Sequence, residues 1–308
     1  MTLATAATTE AIRDHYDRLS LLYGAFWGEH IHHGFWDGGA ATPAAAQVRL
    51  VEKLAETAGV TAGSHVLDVG CGLGGSAIWL AARLNCTVLG ITISPVQVTE
   101  ATRKARRAGV SDRVRFRVMD ASVMNFAPAS FDAVWVIEAS EHLHDKAHFV
   151  RECAACLRPG GVFAMCAWLD RSRARTQDAL VEAICDAMLC PSLARVDDYM
   201  AWLDAAGFDD LTAQDVTSNV APTWAHARAI LRHPAAQIAI RIVDRRIRRF
   251  VAAFDLMHNA MRDGVIGYGM ITGRKNRLPA GHRMAARVAR GGGGSGFSTE
   301  AAPDRSKR

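Results

Sequence analysis

Asp68 and four glycines carry the densest chemistry in the chain. They stand in Val66-Leu67-Asp68-Val69-Gly70-Cys71-Gly72-Leu73-Gly74-Gly75-Ser76. Glycine reaches positive φ and lets backbone N–H groups approach a ligand with no Cβ in the way. The helix that follows presents unpaired N–H donors and a partial positive charge to the same place. The turn reads G-x-G-x-G, and Gly75 also completes the G-x-G-x-x-G of dinucleotide folds. Asp68 separates the two readings. A carboxylate with only apolar strand neighbours is badly placed beside a pyrophosphate, and it suits a cationic ligand such as an amine or a sulfonium.

A second group is Ile137-Glu138-Ala139-Ser140-Glu141-His142. If the reaction needs a proton removed, His142 is the first choice for a base, because an unperturbed imidazole titrates near neutral pH. Glu138 and Glu141 come second. The plainer alternatives are a structural His142 and a Glu138 that acts through its backbone. A third group, His30, His32 and His33, lies in the aromatic stretch Trp27–Asp37. It invites a metal reading, but no Cys or carboxylate partner stands at ligand spacing on a definite element, so no metal is expected. A loop closing over a ligand, or an anchor for the preceding helix, suits it better. Cys153 and Cys156 fall on one helix face and read as packed thiols.

The elements that must position these groups alternate strand and helix. Strands are expected at His65–Val69, Thr87–Thr92, Val114–Met119, Asp132–Ile137 and Val162–Trp168, with helices between them. Two more strands are expected near Leu211–Val216 and at Ile266–Thr272, for seven in all. Ligands of an open parallel sheet bind outside the carboxyl ends of its strands. Those ends offer Asp68, Gly70 and Gly72 from the first strand and Thr92, Ile93, Ser94 and Gln97 from the second. They offer Asp120, Ala121 and Ser122 from the third, and Ile137 to His142 from the fourth. The second strand lacks the acid that dinucleotide enzymes place at its end, so Thr92, Ser94 and Gln97 are left to hold a ribose.

Composition narrows the class. The 308 residues suffice for one large α/β domain with insertions. No run approaches the ~20 apolar residues of a membrane span, and the first residues lack a signal-peptide pattern. No integral membrane contact is expected, and the cytoplasm is the expected location. Net charge is +5, but residues 270–308 hold nine Lys or Arg against two acids, which leaves the rest slightly acidic. The body therefore does not read as a nucleic-acid binder.

These motifs together resemble the class I S-adenosylmethionine (SAM)-dependent methyltransferases. Asp68–Gly74 is similar to their D-x-G-x-G-x-G, and Gly90-Ile91-Thr92-Ile93-Ser94-Pro95-Val96-Gln97 to a G-[IVL]-T-[LI]-S-x-x-Q shared by tocopherol, sterol and cyclopropane-fatty-acid methyltransferases. Tyr16-Asp17, Trp27–Trp36 and Glu138–Lys146 resemble segments of the γ-tocopherol methyltransferase family, with His144 where Pro is usual. The resemblance implies a Rossmann-like, seven-stranded, mostly parallel sheet with helices on both faces and a helical cap. It places Tyr16 and Tyr23 over SAM, Asp120 on the adenine amino group, Ala121 and Ser122 on the base, and Glu138 and His142 near the methionine moiety or the acceptor. The expected organisation is a disordered 1–9, a methyltransferase domain over 10–275 and a basic, Gly-rich, disordered 276–308. Within the domain, 10–58 gives lid helices, 60–168 the SAM-binding core, and 170–205 and 219–262 cap insertions. The expected activity is methyl transfer from SAM to a small apolar aromatic or isoprenoid-type metabolite. Carbon is preferred over nitrogen or oxygen, and oligomeric state is left open. An NAD-dependent oxidoreductase and a non-catalytic SAM-fold partner protein are the rivals.

Overall fold

The computed structural model describes residues 7–26, 29–38, 42–232 and 245–277, without the side chains of 21–26 and 245–247. The expected disordered 1–9 is described only from residue 7, where helix α1 (Thr9–Phe26) soon begins. Residues 278–308, and the helix break expected near Pro234, lie outside the described residues.

After α1 the order is α2 (Pro43–Ala58), β1 (His65–Val69), α3 (Gly75–Leu84), β2 (Thr87–Thr92), α4 (Pro95–Arg107), β3 (Val114–Val118), β4 (Phe131–Ile137), α5 (Lys146–Cys156) and β5 (Leu157–Asp170). Then come α6 (Arg175–Met188), α7 (Val196–Ala206), β6 (Phe208–Asp215), a short α8 (Thr217–Val220), α9 (Pro222–Arg232), α10 (Arg245–Arg262) and β7 (Ile266–Lys275). Single 3-10 turns follow β3 at Ala121–Val123 and β4 at Ser140–His142.

The seven strands form one sheet in the order β3-β2-β1-β4-β5-β7-β6. All neighbours are parallel except β7, which runs antiparallel to β5 and β6. The sheet is thus the expected Rossmann-like one. Strand residues alternate between its two faces. Val66, Val88, Trp135 and Cys166 join one core, and Leu67, Val69, Val134, Val136 and Phe163 the other. Helices cover both faces, as a parallel sheet buried on two sides requires.

The order reverses beside β1, with β2 on one side and β4 on the other. Asp68 pairs in register with Gly90 and with Trp135. That alignment sets Gly70, Thr92 and Glu138 along one edge, at the crevice where such sheets bind ligands.

The two expected cap blocks pack differently. α6 lies against α10, and both extend the first core through Ile184, Cys185, Ala253 and Met257. α7 instead packs on α5 and β6, and its Tyr199 and Leu203 sit in the second core. The helix at 196–206 therefore belongs to the α/β sandwich; a buried Tyr and Leu one turn apart need a sheet face to cover them.

Candidate active site

A cleft opens over the carboxyl ends of β1, β2 and β4. At one end the Gly loop forms its floor: Gly70, Gly72 and Gly74 all hold positive φ, at 74°, 51° and 81°. A Cβ at Gly70 would lie 2.3 Å from the Ala139 Cβ, so this turn and the one after β4 can approach only through glycine.

Asp68 sits at this end, 2% exposed. The Ala77 amide holds its carboxyl, but Oδ2 has no hydrogen-bond partner among the described residues. Burial pushes its pKa up to about 7. A buried carboxylate with an open oxygen beside a Gly loop and a helix N-terminus fits the cationic, polar methionine end of SAM.

The end of β2 differs from expectation. Ser94 caps α4, accepting from the Gln97 amide at 3.1 Å, and donates to Asp17 Oδ1 on α1 at 2.5 Å. Thr92 donates to Gln97 Oε1 at 2.6 Å. Thr92, Ile93 and Gln97 line the cleft and Ser94 does not. The Ser-Pro pair is a helix start, and its hydroxyl is spent there. Asp120 and Ala121 also line the cleft, and Ser122 does not. Ser122 donates through its amide and hydroxyl to Asp120 Oδ1, at 2.8 and 2.7 Å, which fixes that carboxylate.

The other end is aromatic. Trp168, Trp224, Phe250 and Phe254 line it, with Met188, Ile12 and Ile137. The segment 30–36 covers the middle. It is pinned to α2 by Gln47, whose Nε2 donates to the His30 and His32 carbonyls at 2.8 and 3.2 Å. It is pinned to α9 by Thr223, whose Oγ1 accepts from the Gly34 amide and from Trp36 Nε1. A Cβ at Gly72 would come within 3.1 Å of Ile31, so the segment rests on the Gly loop. His32 and His30 bond each other through ring nitrogens at 3.0 Å. Burial holds both below the usual imidazole pKa. No group of three or more His, Cys, Asp or Glu placed to hold a metal occurs among the described residues.

His142 lines the cleft but is fully engaged. Its Nε2 meets the Tyr16 hydroxyl at 2.8 Å and its Nδ1 the Leu189 carbonyl at 3.0 Å. A carbonyl only accepts, so Nδ1 carries the proton and Nε2 accepts from Tyr16. Burial lowers the His142 pKa, and burial raises that of Tyr16. The expected first-choice base thus has no lone pair to offer while α1 is docked. Tyr16 lies on the cleft as expected, and the Tyr23 side chain lies outside the described residues.

Glu141 is 2% exposed. Burial, then the charge of Glu138, pushes its pKa up to about 7, and its Oε1 accepts from the Trp168 amide at 2.7 Å. Glu138 has a positive φ of 51°, an uncommon conformation for a residue with a Cβ. Its Oε1 accepts from the His33 amide at 2.8 Å, from His33 Nδ1 at 2.9 Å and from the Tyr268 hydroxyl at 2.7 Å. Burial works to raise its pKa, but the His33 ring and amide hydrogen bonds, and the electrostatics of the neighbouring His33 and His32 rings, outweigh it and leave the carboxyl below its usual value. The sequence points to Glu138 but not to its partners His33 and Tyr268, nor to Trp168 and Trp224 around the His33 ring. The only signal was the cluster of three His.

A family described as methyltransferase domain matches residues 67–165. The chain is 33% identical over 296 residues to the chloroplastic tocopherol O-methyltransferase of Arabidopsis thaliana, covering 88% of this chain and 85% of that one. It is 34% identical over 290 residues to the 27-O-demethylrifamycin SV methyltransferase of Amycolatopsis mediterranei (strain S699), covering 88% and 99%. The crystal structure of the [4+2]-cyclase SpnF superposes with a TM-score of 0.74 at 28% identity, covering 87% of this chain and 97% of that one.

Proposed function

The chain belongs to the class I SAM-dependent methyltransferases of small-molecule metabolites, and on that premise we propose that its acceptor is an uncharged, largely apolar molecule methylated on a hydroxyl oxygen. The observation that carries the reading is the two-ended cleft. Its polar end, at Asp68 and the Gly loop, would hold SAM, which supplies an electrophilic methyl group. Its aromatic end, at Trp168, Trp224, Phe250 and Phe254, would hold the acceptor.

Among the described residues no Arg or Lys lines the cleft. A phosphorylated acceptor desolvated there would have no cationic partner, which is costly. An aromatic, isoprenoid or macrocyclic alcohol or phenol fits. The rifamycin relative, whose name specifies an O-demethyl substrate, supports oxygen as the methylated atom. Carbon methylation, which the sequence resemblance favours, is the second reading. The Trp and Phe faces support it, because aromatic rings stabilise a cation formed when a methyl group adds to a double bond.

This chain's own residues do three things. Asp68 and the loop amides bind and orient the cofactor. Segment 30–36 and α1 exclude water, through Ile31 and through the Tyr16–His142 bond. The aromatic end aligns the acceptor, and alignment is the larger part of catalysis in an in-line displacement.

The test is release of S-adenosylhomocysteine (SAH) with matched pairs of acceptors, each an alcohol or phenol and its diphosphate ester. Turnover with the neutral member is expected. Turnover restricted to diphosphates would overturn the reading.

A further inference from the structure

We propose that His33 is the general base of the reaction, held in its working tautomer by Glu138, and that the acceptor therefore carries a hydroxyl whose proton passes to His33 Nε2. The proposal rests on the methyl-transfer reading above and names the group that activates the acceptor.

His33 is 3% exposed and lines the cleft. Its Nδ1 lies 2.9 Å from Glu138 Oε1. An ionised carboxylate only accepts, so Nδ1 carries a ring proton, and in the neutral ring that acts as a base the lone pair is then on Nε2. Nε2 is buried and has no hydrogen-bond partner among the described residues. Buried ring nitrogens are rarely left so, and an orphan on a residue that lines a cleft marks a place for a ligand atom. The ring stands among Trp224, Tyr268 and Trp168, at centroid distances of 5.0, 5.2 and 5.9 Å. Trp168 Nε1 and Trp224 Nε1 are likewise buried and unpartnered among the described residues, so three side chains that line the aromatic end carry two donors and one acceptor with no partner. A hydroxyl oxygen satisfies both kinds.

Three neighbouring titratable groups are engaged. His142 Nε2 takes the Tyr16 proton, and Glu141 Oε1 takes the Trp168 amide. Glu138 Oε1 already accepts three hydrogen bonds, one of them from Tyr268. That triple hold fixes the carboxylate under the imidazole and explains the strained backbone at Glu138, since such conformations persist where the surroundings over-determine them.

In the step, the hydroxyl proton moves to Nε2 and the oxygen keeps the O–H electron pair. That pair forms the new bond to the methyl carbon, while the C–S pair leaves with sulfur. The imidazolium that results lies against the Glu138 carboxylate, which stabilises it.

The experiment uses the full-length chain with two phenols, one un-ionised at the assay pH and a nitro-substituted analogue already ionised there. His33→Gln is expected to lower kcat on the un-ionised phenol by about 100-fold or more, within the range of general base catalysis. On the ionised phenol the loss is expected to stay under about tenfold, because no proton need be removed. SAH binding by calorimetry reports that the variant is folded. Equal losses on both phenols, or no loss, would overturn the proposal. Glu138→Gln removes the charge that favours imidazolium, so the rising limb of kcat against pH is expected to move to lower pH; an unmoved limb counts against the positioning role. The His33 tautomer in the wild type, read by nitrogen-15 NMR, decides independently: a protonated Nδ1 with a bare Nε2 supports the proposal, and the reverse overturns it. If the wild type methylates neither phenol while binding SAH, the acceptor reading fails, and the tautomer still judges His33.

Discussion

The Tyr16 hydroxyl donates to His142 Nε2 at 2.8 Å across 126 positions of sequence. The contact joins helix α1 to the turn after β4, over the cleft. It makes His142 part of the closure rather than the group that meets the acceptor. Tyr16→Phe removes one hydrogen bond worth about 0.5–1.5 kcal/mol. SAM affinity, measured by calorimetry, is expected to fall by about two- to tenfold, while the pH limb of kcat stays in place. Loss of that limb would return the base role to His142.

Asp68 links cofactor binding to pH. Burial pushes its carboxyl up to about 7, against about 4 in an unfolded chain. The folded value is raised, so its contribution to stability is full below about pH 4 and is lost as pH rises to about 7. A cationic ligand prefers the carboxylate. SAM affinity should therefore climb with pH up to about 7 and level off above it. Below that, each unit of pH costs up to about tenfold. Asp68→Asn should flatten the slope and weaken binding at pH 8. A slope that survives the substitution would point to Glu141, the other cleft carboxyl raised to about 7.

Gly75 carries the lid. A Cβ there would stand 2.6 Å from the His30 ring and 2.9 Å from the Glu29 carbonyl. Gly75→Ala must push segment 29–33 off the loop, an overpacking cost of about 1–3 kcal/mol. Calorimetry should show SAM affinity about tenfold lower. An unchanged affinity would mean that the segment does not seal the cofactor end.

Ser94 should act on stability more than on the cofactor. Losing its cap costs about 1 kcal/mol, and losing its bond to Asp17 costs more. A thermal scan of Ser94→Ala should show the midpoint lower by about 3–5 °C, with a change in SAM affinity of less than about threefold. A larger loss of affinity than of stability would restore the ribose contact that the sequence suggests.

What was legible follows from distance along the chain. Asp68 and the Gly loop are local, so their spacing revealed both the turn and the ligand class. The central strands show themselves through apolar runs bounded by turns, whereas β3 (VRFRV) and β6 (FDDLTAQD) at the sheet edges carry mostly exposed residues. The polar residues after β2 misled because a hydroxyl before a proline reads equally well as a ligand contact and as a helix cap. The pairing of His33 with Glu138 crosses 105 positions, and no periodicity records it. The amphipathic pattern of the helix at 196–206 shows that one face is buried, but not whether against the cap or the sheet.

The most direct measurement is the fate of the methyl group. SAM with a deuterated methyl is incubated with the full-length chain and paired neutral and diphosphate acceptors, and the products are located by mass spectrometry and NMR. Label on the oxygen of a neutral, apolar alcohol or phenol is the predicted result. Label found only on diphosphate esters, or SAM bound with no label transferred to any acceptor, would contradict it.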